Sequence, residues 1–201
     1  MDEVIDGVLH WATYHEGIGQ TVHSHMHLAS GAIFDPLLPE GGAEALGAAG
    51  LPSVVLLSNR HHLRHAAVLA ETYGIPIRCH EAGLHAFTGA GAPDVEAFAF
   101  GDEVAPGVRA TGLGALTPEE TVFRIDAGPG ALLFADGLIR RDGELMFVPD
   151  QLLGEDPETV KRELRSGLTR LLGGDQFDTL LFAHGEPLRA GGRQALEAFL
   201  S

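Results

Sequence analysis

The sequence predicts an α/β (α+β) fold in which two mostly antiparallel sheets pack face to face with helices outside, a four-layer αββα sandwich. The main observation is the order of short apolar segments, typical of buried strands, and of amphipathic segments, typical of helices. With 201 residues, the chain suits one domain over 1–201 with a sizeable core. The predicted helices are 42–49, 64–73 and 156–172.

Composition and charge limit the classes of function. The net charge is −15, so the surface repels phosphate backbones and we expect no nucleic-acid partner. No apolar run reaches the length of a membrane span, and residues 1–3 lack the basic start of a signal peptide. Cys79 is the only cysteine, which fits a reducing compartment. We therefore expect a cytoplasmic protein that does not enter a membrane.

Three histidines alternate in the first predicted hairpin. His23, His25 and His27 occupy every second position, so on a strand they share one face of the sheet. Three imidazoles on one face can bind a metal ion, whereas polar strand faces are commonly structural or solvent-facing. We interpret the stripe as structural or solvent-facing, with a metal role as the alternative.

A predicted βαβ unit organises the middle of the chain. The apolar run 54–57 is typical of a buried strand, and a helix-like segment follows until Gly74, before a second short strand at 75–79. In open α/β sheets the chemistry lies just beyond the carboxyl ends of strands. The polar residues at that place are Asn59, His61, His62 and Arg64.

The same segment carries a resemblance to a known family. A buried strand, then Thr-His-x-His-x-Asp-His, then a helix is the signature of the metallo-β-lactamase fold hydrolases, and residues 58–64 resemble it in altered form. Without a gap, Asn59, Leu63 and Arg64 replace the first His, the Asp and the last His, and His61 matches the second His. With two residues deleted, His61 and His62 fall on the Asp-His pair. Both alignments stay open.

Four further motifs, one before this segment and three after it, occur in the order of the family. Asp35 resembles the Asp of the Ile-Asp-Pro segment, which is mostly structural there. Leu113 stands where the family has a His ligand. Either Asp136 or Gly137 falls on the Asp that bridges two metals. His184, at the end of a buried strand, resembles a ligand near the C-terminus of the family.

The resemblance implies a hydrolase whose metal site is reduced or lost. Family members use two metal ions to activate water against ester, thioester, amide or phosphoester bonds. The retained candidate ligands are His61, His62, Asp136 and His184, which can hold at most one divalent ion such as zinc, iron or manganese. Arg64 opposes any ion: at about 5 Å and an effective dielectric of about 20, the repulsion is roughly 6–7 kcal/mol.

Two functions follow from these residues. The first is hydrolysis of a small acyl ester or thioester, with Asp136 as the catalytic residue and with Asn59 and Arg64 in substrate binding. The alternative is a metal-free binding or scaffold protein that keeps the fold and holds an anion. The expected partner is a small-molecule substrate or anion, and the assembly we consider is a homodimer. Because His61 and His184 each follow a buried strand, we expect them within about 10 Å of each other.

Overall fold

A computed structural model describes residues 1–174 and 176–201. The strands in chain order are β1 (Asp2–Ile5), β2 (Val8–His15), β3 (Gln20–His27), β4 (Ala32–Phe34), β5 (Val54–Leu57), β6 (Ile77–His80), β7 (Val95–Phe98), β8 (Glu103–Ala105), β9 (Val108–Gly112), β10 (Thr121–Ile125), β11 (Ala131–Phe134), β12 (Ile139–Arg141), β13 (Glu144–Met146) and β14 (Thr179–Phe182). The α-helices are α1 (Gly42–Ala49), α2 (Ala66–Tyr73), α3 (Pro157–Leu172) and α4 (Gly192–Leu200).

The strands form two large sheets. The first sheet has seven strands in the order β1-β2-β3-β4-β5-β6-β7, and the second has five in the order β14-β11-β10-β9-β8; β12 and β13 form a separate hairpin. The prediction of mostly antiparallel sheets is wrong for the first sheet, where β4 to β7 are parallel. Helices α1 and α2 are crossover connections, and a crossover returns the chain in the same direction.

Three apolar layers confirm the αββα sandwich. Phe34, Leu56 and Phe123 belong to a cluster buried between the two sheets. A second cluster lies between the first sheet and α1 and α2, and a third lies between the second sheet and α3 and α4. Because side chains alternate along a strand, each strand supplies both the inner layer and one outer layer. None of the helices within the described ranges has the length and hydropathy that a membrane span requires.

The predicted helices agree closely with the structure, with one informative difference. Helix α1 covers the predicted 42–49, and α3 begins one residue late, at Pro157, where the Asp156 side chain accepts from the Thr159 N–H at 3.1 Å. Helix α2 begins at Ala66 instead of residue 64. Arg64 has a φ of 39°, a left-handed conformation that interrupts a right-handed helix.

The topology brings three strand ends to one edge of the sandwich. Strands β11 and β14 are parallel neighbours, with Phe134 opposite Phe182, so the residues that follow them emerge side by side. Strand β5 of the other sheet ends at the same edge. The backbone N–H of His23 donates to the carbonyl of Ala183 at 2.9 Å and joins the two sheets there.

Candidate functional site

Three side chains converge at this edge of the sandwich, and we call them the His62 cluster: His62, Asp136 and His184. Oδ1 of Asp136 lies 3.3 Å from Nε2 of His62 and 3.1 Å from Nε2 of His184. The two imidazole Nε2 atoms are 3.4 Å apart. The three atoms therefore form a nearly regular triangle.

His62 is fixed in place by a buried carboxylate on its other side. Nδ1 of His62 donates to Oδ2 of Asp35 at 3.1 Å. Asp35 also accepts from the backbone N–H of Ser58 at 2.8 Å and from the Ser58 hydroxyl. The resemblance predicts a mostly structural role for Asp35. Its role extends further, because it sets the proton position and the orientation of a residue in the cluster.

Asp136 is held from behind by an amide and a second carboxyl group. Nδ2 of Asn59 donates to Oδ2 of Asp136 at 3.0 Å and approaches Oε2 of Glu120 at 3.3 Å. Oε1 of Glu120 accepts the backbone N–H groups of Asp136 at 2.9 Å and Gly137 at 2.8 Å. These contacts leave Oδ1 of Asp136 directed toward the two imidazoles.

Charges in the cluster are strongly shifted by burial and by neighbours. Burial alone would lower the pKa of His62, but the Asp136 and Asp35 carboxylates outweigh it and raise the pKa to about 9. Although burial opposes ionisation, His62 and His184 hold the pKa of Asp136 well below its usual value. Burial and the charge of Asp136 raise the pKa of Glu120 to about 8. The carboxylates of Asp136 and Asp35 therefore favour the protonated, cationic form of His62.

The triangle has the dimensions of one face of a metal coordination shell. Tetrahedral zinc with ligand bonds of about 2.0–2.1 Å separates its ligand atoms by about 3.3–3.4 Å. The edges of 3.1, 3.3 and 3.4 Å are close to that separation. His62 also carries the carboxylate on its far nitrogen that metal-bound histidines commonly have. Two imidazoles and one carboxylate therefore fit one divalent ion and leave an open position.

A pocket of about 450 Å³ opens onto the cluster. Asp136 and His184 lie on its wall together with His61. The remaining lining residues are mainly apolar: Ile18, Gln20, Leu116, Thr117, Ile139, Arg141, Val148, Pro149 and Leu152. A pocket with an apolar wall and a few polar groups at one end is typical of small-molecule sites.

The structure separates His61 from His62. A 3₁₀ turn over Arg60–His62 directs His62 into the protein and leaves His61 exposed on the pocket wall. His61 and His184 thus line the same pocket, although His61 is not among the three converging ligand groups. The arrangement favours the alignment with two deleted residues, which includes His62. The assignment of all four groups as metal ligands stays a prediction.

The two residues predicted to bind substrate lie outside this pocket, and Arg64 lines a different one. Asn59 is fully buried, and its Oδ1 accepts the N–H of His61 at 2.9 Å. Arg64 donates through Nη1 to the carbonyls of Asp35 at 2.6 Å and His23 at 3.2 Å. Neither residue lines this pocket, so a substrate-binding role for them stays a prediction. Leu113, at the lost ligand position, packs in the apolar layer beneath α3.

Sequence reasoning missed Glu119 and Glu120. Both are completely buried, and Glu119 pairs with Arg60 of the 3₁₀ turn. The only signal was two acids directly before the buried strand β10, which resembles an ordinary solvated turn. Without the fold, nothing shows that Glu120 contacts Asn59 of the other sheet and the backbone N–H of Asp136 at the end of the neighbouring strand β11.

The histidine stripe forms a second cluster. The solvent-facing interpretation is wrong: His23, His25 and His27 are 5%, 1% and 3% exposed. Met26 faces the helices, so the alternate residues of β3 face the other sheet. His10 of β2 joins them, with Nε2 2.8 Å from Nδ1 of His23. Burial and the neighbouring imidazole lower the pKa of His10 to about 4, and burial and His184 lower that of His23 to about 4.

Comparison with solved structures identifies the fold. No protein-family model and no curated protein matches the sequence. The chain is similar to a metallo-β-lactamase from Staphylococcus aureus (TM-score 0.67, 13% identity, covering 96% of this chain and 63% of that one). It is also similar to the B3 metallo-β-lactamase BLEG-1 (TM-score 0.68, 16% identity, 96% and 100%).

A third neighbour, TTHA1623, was solved in a di-iron-bound form (TM-score 0.62, 21% identity, covering 92% of this chain and 91% of that one). The present chain spans less than two thirds of the S. aureus protein and the full length of BLEG-1. Together with the αββα layers and the cluster at the shared edge of the two sheets, these similarities show that the chain has the metallo-β-lactamase fold.

Proposed function

We propose that this chain is a metal-dependent hydrolase of a small acyl ester or thioester, with one divalent ion held by the His62 cluster. The observation that carries the proposal is the triangle of His62, Asp136 and His184 ligand atoms, with edges of 3.1–3.4 Å, at the base of a pocket. Zinc, iron and manganese all suit this donor set. When bound, such an ion supplies Lewis acidity toward the carbonyl oxygen of the substrate.

The pocket supports a substrate with an apolar body and a polar end. Ile18 and Leu152 line the pocket and are 49% and 64% exposed. These side chains would pack against an acyl chain, while Arg141 offers a cation for an anionic group. His61 would contact the scissile end, because it shares the wall with Asp136 and His184.

The neighbouring residues would act by positioning. Asp35 holds His62 in one orientation, and Asn59 and Glu120 hold Asp136. The guanidinium of Arg64 is tied to two carbonyl oxygens, which offsets part of its repulsion toward a bound ion. The cytoplasmic location expected from the single cysteine remains part of this proposal.

A metal-free binding role is the second candidate. The observation that favours it is that His62 already lies between the carboxylates of Asp35 and Asp136, with its pKa raised to about 9. A metal ion must displace a proton from this imidazolium. Such a protein would bind an anion in the pocket and would not hydrolyse it.

Metal loading and hydrolysis of the same samples test the two functions. Untagged protein is stripped with a chelator, loaded with zinc, iron or manganese, and assayed on a panel of aryl esters and acyl thioesters. We expect Asp136→Asn to lower kcat/KM by at least about a hundredfold, because it removes a charged ligand. His85→Gln, on the exposed surface, is the matched control. Equal activity of Asp136→Asn and the control, or no activity in any loaded form, would reject the hydrolase and favour the binding role.

A further inference from the structure

We propose that His10, His23 and Glu186 form a second divalent-metal site, which we call the His10 cluster and which is separate from the His62 cluster. Each residue offers one ligand atom, and the three atoms lie within 4.8 Å of one another. Two imidazoles and a carboxylate are a donor set for zinc and other transition metals. Magnesium and calcium prefer oxygen ligands and would bind here poorly.

The ligands come from three elements that the fold holds together. In the β2–β3 register His10 lies opposite His25, and His23 lies opposite Ala12, so His10 and His23 are diagonal neighbours on one face. Their rings stack with centroids 5.1 Å apart at an interplanar angle of 12°. Glu186 follows β14 of the other sheet. An ion bound by all three would link the two sheets.

The burial of these imidazoles needs a compensating interaction. His10 and His23 are only 7% and 5% exposed, and the hydrogen bond between them occupies one nitrogen of each ring. The ring of His25 lies 5.1 Å from that of His10, and its buried Nε2 has no hydrogen-bond partner. Burying a polar group without a partner is unfavourable, and an aliphatic side chain at the same place would avoid that cost. Metal coordination would add a favourable interaction to the single hydrogen bond that joins His10 and His23.

An ion can reach this site from solvent. His10 and Glu186 line an open pocket of about 350 Å³, and the carboxylates of Asp2 and Glu40 lie on the same wall. Arg189 is a cationic side chain on the same wall, and its Nη1 donates to the carbonyl of Glu3 at 3.0 Å. Three carboxylates against one guanidinium favour entry of a cation.

The two clusters have separate entrances. The pocket above the His62 cluster is lined by His61, Asp136 and His184, and among the described residues it shares no lining residue with the pocket at His10. An ion would therefore reach each site by its own route. A chain that binds two ions would hold one in each place, so a count of two would not by itself indicate a two-metal centre of the family type.

Zinc stoichiometry of cluster-specific variants tests the proposal. Untagged, chelator-stripped protein is loaded with zinc, desalted and analysed for zinc and protein. We expect about two ions in wild type and in the control His85→Gln, and about one in His10→Gln/Glu186→Gln. Asp136→Asn should also lose one ion. Combining Asp136→Asn with the His10 and Glu186 changes should leave none.

A second measurement covers the case in which the His10 variant folds poorly. Glu186 is exposed, so Glu186→Gln alone should fold normally; it should weaken zinc at this site by at least about tenfold, measured by competition with a chromophoric chelator. Cobalt(II) spectra of the same protein should lose the bands of one site only. Equal zinc content and affinity in wild type and Glu186→Gln would overturn the second site. That result would leave the hydrolase proposal standing, since the latter depends on Asp136.

Discussion

The His62 cluster and the His10 cluster contain buried imidazoles with opposite charge states. His62 and His10 are almost equally buried, at 5% and 7% exposure. The carboxylates of Asp136 and Asp35 raise the pKa of His62 to about 9, whereas burial and His23 lower the pKa of His10 to about 4. Burial is similar in the two places, so the chemical identity of the neighbours decides the charge.

This difference has consequences for ligand binding. A metal ion entering the His62 cluster competes with a proton on His62, whereas the imidazoles of the His10 cluster are neutral near pH 7. Zinc affinity should therefore depend on pH more steeply at the His62 cluster. The carboxylates that weaken binding at low pH also orient the histidine for binding at higher pH.

The largest expected effect is on stability and comes from removing the negative charge of Asp35, next to His62. Asp35→Asn should lower the free energy of unfolding by about 3–5 kcal/mol, because a buried ion pair loses one partner. The Ser58 N–H and hydroxyl lose the same acceptor. Urea unfolding of metal-free protein measures the change. Asp126→Asn, at a surface pair with Arg124, should change the free energy by less than about 1 kcal/mol. Similar values for the two variants would mean that Asp35 does not carry the charge assigned to it.

Opposite pH dependences of stability are the next largest effect. The pKa values of His10 and His23 are about 4 in the folded chain and 6.5 when unfolded, so the unfolded chain binds more protons in between. The contribution of each of these two residues to stability should fall by roughly 2–3 kcal/mol as the pH decreases from 7 to 4. His62, with its pKa raised to about 9, contributes stability that is fully present below pH 6.5 and is lost as the pH rises through about 9.

Variants separate these two contributions from other titrating groups. Urea unfolding of metal-free His10→Gln/His23→Gln should show a shallower loss of stability on the acid side than wild type. His62→Gln should show a shallower loss on the alkaline side. If both variants keep the slopes of wild type, the protonation difference between the clusters is wrong.

Sequence alone predicted the layers, the helices and the positions of His62, Asp136 and His184 at strand ends. It did not predict which of His61 and His62 enters the site, because that depends on the 3₁₀ turn over Arg60–His62. The motif comparison left open whether two residues are deleted from this segment. The choice matters because His61 is exposed and His62, the next residue in the turn, is buried. The left-handed backbone of Arg64 was equally invisible, because an arginine rarely adopts it.

The histidine stripe shows a second limit of prediction from the sequence. Alternation predicts that His23, His25 and His27 share a face but does not say which layer covers that face. Which layer covers the face depends on how the two sheets pack against each other, and that packing involves residues far apart in the sequence. Glu120 was missed for the same reason, because its partners Asn59 and Asp136 are distant in sequence.

A smaller effect, on zinc affinity, is expected from removing the side chain that orients Asp136. Asn59→Ala removes the donor to Oδ2 of Asp136 and the acceptor for the N–H of His61. Zinc affinity of the His62 cluster should fall about tenfold or more, because residues that orient a ligand commonly have effects of this size. Competition titration with a chelator measures it in a His10→Gln/Glu186→Gln background, so that one site is observed. An unchanged affinity would show that Asp136 does not need Asn59 to keep its orientation.

The smallest expected effect is a gain in stability. Its measurement tests whether the buried imidazoles next to the His10 cluster stabilise the fold. Nε2 of His25 is buried without a hydrogen-bond partner, and the ring is 1% exposed. His25→Leu replaces it with an apolar side chain of similar size, and the free energy of unfolding of metal-free protein should increase by about 1 kcal/mol. Zinc binding to His10 and His23 should persist, since His25 is not among the three ligand groups.

Urea unfolding with and without zinc gives both values, and Val22→Leu on the opposite face of β3 controls for a change in volume. A destabilised His25→Leu protein that still binds zinc would mean that His25 has a polar partner such as buried water. If zinc binding is lost as well, His25 belongs to the site and the ligand set must be enlarged. The outcomes therefore distinguish a packing role of these imidazoles from a metal-binding role.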